Sequence, residues 1–398
     1  MLKRFRVNNF RNLMNIEFRP TGVSVLIGPN NAGKTNLCYA LRLLGTSARV
    51  ALDDAAGDVL GENWNITNVY VQDKTIELEA DAELTQTSGC YDFSYLLRLS
   101  ADREASTAKQ LLRVLDETLY VSGPGFQRTL LIESHAGRAR LLNERRFAER
   151  QTTLDGYAES LVPTDATALS KLFDSEGNRL AIWFRQFLTS FAYYNLNPRS
   201  MRSPRVVARP GWITPDGENF GLFLYKLHNE NPRLERRILD AMRLLEPKVD
   251  ALAFYRPDPD FILGFWEDKN GNRFSALSVS DGTLRYLALC CLLAVLWDSR
   301  DGPNPPPFIM FEEPENGLYV GHLKPLIEQL DFTGASGQCL FTTHSPYFID
   351  LFDGHLEAVH VMKRGEPSPV LVKPEPQLIK PLLDQMPLGE LHYRELLA

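Results

Sequence analysis

Short apolar runs alternate along this chain with longer amphipathic stretches. Residues 23–27 (VSVLI) are apolar and β-branched and predict a buried strand; residues 36–44 (NLCYALRLL) space their apolar side chains at helical intervals just after it. Further apolar strands are predicted at 191–196 (FAYYNL) and from 307 to the acids at 312–313. Residues 75–84 (TIELEADAEL) alternate with a period of two, as a strand with one covered face does. Residues 284–297 (LRYLALCCLLAVLW) are apolar all round, which predicts a buried helix. At about fourteen residues, with Arg285 inside it, this run is too short to span a bilayer. Residues 109–119 and 141–151 read as charged amphipathic helices, broken at 122–125 (SGPG).

Candidate chemistry sits at the edges of these elements. Gly28-Pro29-Asn30-Asn31-Ala32-Gly33-Lys34-Thr35 is a complete G-x-x-x-x-G-K-[ST] phosphate loop between the first strand and the first helix. Its glycines let backbone N–H groups turn inward on an anion, and the helix aims its positive dipole end at the same charge. Lys34 then meets the β/γ-phosphates of a nucleoside triphosphate such as ATP, and Thr35 holds Mg²⁺. The bland alternative is a glycine turn beside a surface lysine. Far downstream, the strand ending in Glu312-Glu313 carries two adjacent acids, which divide into a magnesium-side carboxylate, Glu312, and a base orienting water, Glu313. A solvated acidic turn is the competing reading. Ser280 and Gly282 in S-D-G-T open the apolar helix and offer either a second anion site or a simple helix cap.

The order phosphate loop, S-x-G at a helix start, strand-Glu-Glu, then Thr342-Thr343-His344-Ser345-Pro346 at a further strand end resembles the ATP-binding-cassette ATPase head. It is more narrowly similar to chromosome-maintenance (SMC-like) heads, RecF-type recombination ATPases, and compact ATPases related to the overcoming-lysogenisation-defect nucleases. The E-E-P-E-N-G-L and T-T-H-S-P wording looks most like the compact AAA-family ATPases of prokaryotic antiphage defence, and the N-F-R turn at Asn9-Phe10-Arg11 fits the first strand of these heads. The resemblance implies an α/β P-loop head with two lobes and an insertion. Lobe I covers 1–88, a mainly helical insertion 89–190, lobe II 191–362, and a tail 363–398.

By the same resemblance, Asn30, Asn31, Ala32, Gly33, Lys34, Thr35 and Asn36 hold ATP, while Ser280 and Gly282 contact the γ-phosphate of a second copy. Glu313 becomes the catalytic carboxylate and His344 the switch histidine; residues 316–318 cross to the partner. Two departures stand out. Glu312 replaces the usual Asp, one methylene longer, and no glutamine loop is evident, with Gln72 and Gln186 as the candidates.

Composition refines the picture. The 398 residues are 44% hydrophobic and 23% charged, ordinary globular usage, and the net charge of −7 opposes indiscriminate DNA binding. Two basic clusters remain: Arg138, Arg140, Arg145, Arg146 and Arg150 beside Glu144 and Glu149, and Arg199, Arg202, Arg205 and Arg209, which lack interleaved acids. The five cysteines form no C-x-x-C pair, and no secretory leader precedes the first strand, so a cytoplasmic protein is expected. No D-x-D cluster follows residue 360, where related nucleases carry a catalytic domain. The expectation is an ATPase that closes head to tail as a homodimer or higher oligomer and regulates a separate effector, a nuclease or toxin, in antiphage defence; the alternative is a RecF-type repair ATPase that binds DNA directly. The terminal segment from Leu388 is amphipathic and docks on its own lobe or on a partner.

Overall fold

The computed structural model describes residues 1–61, 65–103, 110–144, 157–204, 213–258, 261–298 and 307–397. The strand Val23–Ile27 is buried along its whole length. It lies third from one edge of a six-stranded sheet in the spatial order Phe191–Tyr194, Phe308–Glu312, Gln338–Thr343, Val23–Ile27, Val359–Lys363, Val370–Val372. The first five run parallel and the last is antiparallel. Parallel strands covered on both faces have no polar side to alternate with, which is why these runs are continuously apolar.

Helix Lys34–Ser47 covers one face of this sheet. Leu37, Leu41 and Leu44 join Leu26, Phe308, Met310 and Leu340 in one core, which continues into Phe5, Leu78 and Leu97 of a second, antiparallel sheet. The eight strands of that sheet are Ile16–Phe18, Leu2–Asn8, Thr75–Gln86, Gly89–Arg103, Gln110–Gly123, Phe126–His135, Arg138–Leu142 and Tyr157–Leu161. On the other face, Val25, Ile27, Ile309, Phe311 and Phe341 pack against helix Asp281–Asp298. The phosphate-loop helix is thus clamped between two sheets, and the S-D-G-T helix backs the parallel sheet from behind. Among the described residues no helix is long and apolar enough to cross a membrane.

Most of the described residues between 89 and 190, a segment expected to be mainly helical, are strand instead, followed by helices Ala168–Lys171 and Arg179–Thr189. The stretch 109–119 misleads for a physical reason. A bulge at Leu115 lets Arg98 pair with Asp116 but Leu99 with Val114, so the period of two slips by one residue and mimics helical spacing. Beyond the bulge Glu117 turns inward and is fully buried. Burial of a carboxyl is costly unless it is hydrogen-bonded. Here Tyr95 Oη donates at 2.9 Å, and the N–H groups of Ala168 and Leu169 donate at 2.5 and 3.0 Å. The supposed helix 141–151 starts as the end of a strand, and its remainder from 145, with Arg145, Arg146 and Arg150, lies outside the described residues. Arg140 pairs with Glu133 at 3.1 Å across that sheet.

The tail docks on its own chain. Leu388 and Leu391 are fully buried, Gly389 N–H donates to Asp350 at 2.6 Å, and a Cβ on Gly389 would come within 2.3 Å of the Pro346 carbonyl oxygen.

Candidate functional site

The site forms at the carboxyl ends of the parallel strands. Gly28 leaves its strand so close to the neighbouring one that a Cβ would lie 2.1 Å from Met362 O, which excludes any larger residue. Asn31 (φ 62°) and Gly33 (φ 101°) take left-handed conformations that wind the loop into the start of helix Lys34–Ser47. The loop is braced from outside: Arg364 donates to Asn30 O at 3.0 and 2.7 Å, and Asn12 donates to Asn31 O at 3.4 Å. Asn36 donates to Asn12 at 2.8 Å and accepts from Arg11 at 3.0 Å, which ties the N-F-R-N turn to the same loop. Ala32 is buried, with its N–H 3.3 Å from Pro29 O.

Lys34 is 5% exposed and folds back over the loop, donating to Gly28 O at 2.7 Å and Pro29 O at 3.1 Å. It also approaches both ring nitrogens of His344, at 3.2 and 3.0 Å. Burial pushes its ammonium down from 10.5 to about 8, and the nearby Glu313 and Glu312 offset only part of that. His344 is likewise lowered, first by burial and then by Lys34, so it is the neutral ring that faces the loop at neutral pH.

The two acids face different partners. Glu312 Oε1 accepts from Thr35 Oγ1 at 2.5 Å, while Oε2 accepts from Tyr193 and, at 3.0 Å, from Asn195. The register that pairs Tyr194 with Phe311 carries Asn195 level with Glu312. The extra methylene of a glutamate is therefore taken up by two donors on the next strand, which turn its other oxygen toward Thr35. Glu313 takes the left-handed φ of 44°, a conformation that costs a non-glycine residue about 1–3 kcal/mol when the surroundings enforce it. Its carboxylate lies 3.4 Å from His344 Nε2 and accepts from Asn316 at 2.6 Å.

Lys34, Thr35, Glu312, Glu313 and His344 thus form one cluster, whereas Ser280 stands apart. It caps its own helix, its Oγ accepting from Thr283 N–H at 3.1 Å, and it is exposed. Gly282 packs so tightly against Gly317 and Leu318 that a Cβ would lie 2.5 Å from Gly317 O. Arg285 reaches Asn316 O from the same helix and Leu196 O at 3.3 Å. Neither glutamine candidate reaches the cluster: Gln72 and Gln186 are exposed, the first in a loop before strand Thr75–Gln86 and the second on helix Arg179–Thr189. Asn195 and Tyr193 are the site residues that sequence reading missed; the only signal was their place at the end of a predicted strand. Of the basic loop, Arg202 is engaged by Asp281 at 2.6 Å and Val279 O at 2.7 Å, so it secures the S-D-G-T turn. Arg199 is exposed, and Arg205 and Arg209 lie outside the described residues. Finally, Gly28, Pro29, His344 and Arg364 share an open cleft with His392, Tyr393 and Glu395 of the tail.

A nucleoside triphosphate and Mg²⁺ suit what is present. The loop and the Lys34 ammonium offer donors to an anion, and the Thr35 and Glu312 oxygens are the hard donors Mg²⁺ takes. A bound triphosphate stabilises charged Lys34, so binding takes up a proton above about pH 8. Affinity should be flat below that value and fall by up to about tenfold per pH unit above it. The nucleotide-free fold responds oppositely, gaining stability as pH rises from about 8 to 10.5, because only the unfolded chain still holds that proton. Titrating nucleotide affinity across this range checks the assignment, and a pH-independent affinity would contradict it.

The family described as "AAA domain, putative AbiEii toxin, Type IV TA system" matches residues 23–350, from the phosphate-loop strand to beyond His344. No curated protein matches the chain. Among solved structures, an SMC head bound to the C-winged helix domain of ScpA is 12% identical, over 93% of this chain and 97% of that one, with a TM-score of 0.51. An SMC head domain with an extended coiled coil, bound to the C-terminal domain of ScpA derived from Pyrococcus furiosus, is 10% identical, over 96% and 98%, with a TM-score of 0.48. The first likeness shows the fold, an α/β P-loop head of the SMC type.

Proposed function

Because the chain belongs to this AAA-domain family, we propose that it is an ATP-binding and ATP-hydrolysing switch whose two copies close head to tail and regulate a separate effector. The observation that carries this reading is the cluster of Lys34, Thr35, Glu312, Glu313 and His344, which gathers in one place the groups suited to the phosphates, Mg²⁺ and the attacking water. In it, Lys34 turns from Gly28 O and Pro29 O to the phosphates. Glu313, held by Asn316, orients and deprotonates the water, and neutral His344 donates to the γ-phosphate. Thr35 and Glu312 would hold Mg²⁺, which would supply charge neutralisation on the triphosphate. Ser280, exposed and hydrogen-bonded to Thr283 of its own helix, serves the nucleotide of the second copy. The family description, "putative AbiEii toxin, Type IV TA system", supports a two-component toxin–antitoxin setting in which the chain acts alongside a second protein. The repair-type alternative loses Arg202, whose guanidinium is already engaged by Asp281.

Purified protein with Mg²⁺ and ATP should release phosphate slowly and leave plasmid and RNA intact. Phosphate release should vanish in Lys34→Ala. Nuclease activity of the homogeneous protein, lost in a variant outside the cluster, would contradict the regulator reading.

A further inference from the structure

The third acid of E-E-P-E is the buried group the proposed chemistry leaves unused. Glu315 is 8% exposed, and burial pushes its carboxyl above the usual carboxylate range. One oxygen accepts from Thr343 Oγ1, and the other has no hydrogen-bond partner among the described residues. Thr343 is fully buried at the end of its strand, and its hydroxyl also accepts from Ser345 N–H at 2.8 Å, on the far side of His344. A second tie runs alongside, with Glu313 N–H donating to Thr342 O at 3.0 Å. Residues 313–317 are therefore held on both flanks. Gly282 and Arg285 grip Gly317 and Asn316 on one side, and Thr343 grips Glu315 on the other.

Resting on the two-copy reading above, we infer that Glu315 is a positioning residue that makes the exposed loop at Asn316–Gly317 and the switch turn at His344 move as one body. Docking of a second copy on Asn316–Gly317 then changes the placement of His344, and the nucleotide held by Lys34 alters the presentation of that loop in return. Such coupling is reciprocal and requires a physical connection with two arrangements. A surface carboxylate would be a poor connection, since water competes for it. A buried one cannot turn to bulk water when its hydrogen bond is lost, so the loss costs its desolvation.

The test compares Glu315→Ala, Glu315→Gln and Thr343→Val with the wild type in three readouts: nucleotide affinity by a fluorescent ATP analogue, hydrolysis against ATP and protein concentration, and thermal denaturation. Glu315→Gln keeps the volume and an accepting oxygen and should stay close to the wild type. Glu315→Ala, and Thr343→Val, which removes only the hydroxyl, should bind nucleotide normally. Both should lose sigmoidal dependence and hydrolyse about 5- to 150-fold more slowly, the range of ordinary site–site coupling. Variants that melt earlier but keep wild-type cooperativity would reduce Glu315 to a structural role and overturn the inference. Hyperbolic wild-type hydrolysis, independent of protein concentration, would instead remove the two-copy reading and the coupling with it.

Discussion

Replacing Glu313 by Gln is expected to slow ATP hydrolysis by about 10²–10⁴, the contribution of a positioned general base, while ATP binding stays intact. The amide keeps the shape of the side chain and can still meet Asn316, so the enforced φ of 44° and the loop it shapes persist. What is lost is proton acceptance from water. The variant should collect in an ATP-bound state, visible as bound unhydrolysed nucleotide after gel filtration and as a mass about twice 45.1 kDa. Glu312→Gln should act differently, because that carboxylate faces Thr35, Tyr193 and Asn195. It should raise the Mg²⁺ requirement before it alters the water. Wild-type turnover in Glu313→Gln would show that another group holds the water.

Lys34→Ala is expected to abolish nucleotide binding. Hydrogen bonds to charged groups contribute about 1.5–3 kcal/mol each, so losing contacts to two phosphates lowers affinity by a factor on the order of 10³. Ser280→Arg should leave affinity nearly unchanged in the isolated chain, since Ser280 touches its own helix rather than the loop. Hydrolysis should nevertheless fail, because the long cation obstructs the seat of the second copy. Losing the cap costs about 0.5–2 kcal/mol of stability, so melting is followed in parallel to separate unfolding from failed closure. Equal loss of nucleotide affinity in both variants would place Ser280 in the same chain's site.

The local part of this architecture was legible in the sequence. Strand Val23–Ile27, its loop and helix Lys34–Ser47 are contiguous, and their apolar periods and glycines state the geometry directly. Strands Phe308–Glu312 and Gln338–Thr343 carry their acids and histidine at the ends where a parallel sheet gathers them. Features that depend on pairing between distant residues were not legible. The bulge at Leu115 and the inward turn of Glu117 gave a long strand the pattern of a charged helix. The brace on Glu312 comes from Tyr193 and Asn195, whose place is set by parallel register with a strand more than a hundred residues away. Glu315 reads as one acid among several, yet the fold buries it under Thr343. Arg202 looked like a free cation because its partner, Asp281, lies far along the chain.

Mixing Lys34→Ala with Ser280→Arg tests the central claim most directly. Each variant alone should be inactive, for different reasons. In a head-to-tail pair, one composite site would take Lys34 from the Ser280→Arg copy and Ser280 from the Lys34→Ala copy, restoring a single competent site. Phosphate release from the mixture should therefore exceed the sum of the two separate preparations and should disappear when Glu313→Gln is added to the chain that keeps Lys34. A mixture no more active than its components, with both proteins folded, would contradict a nucleotide site shared between two copies.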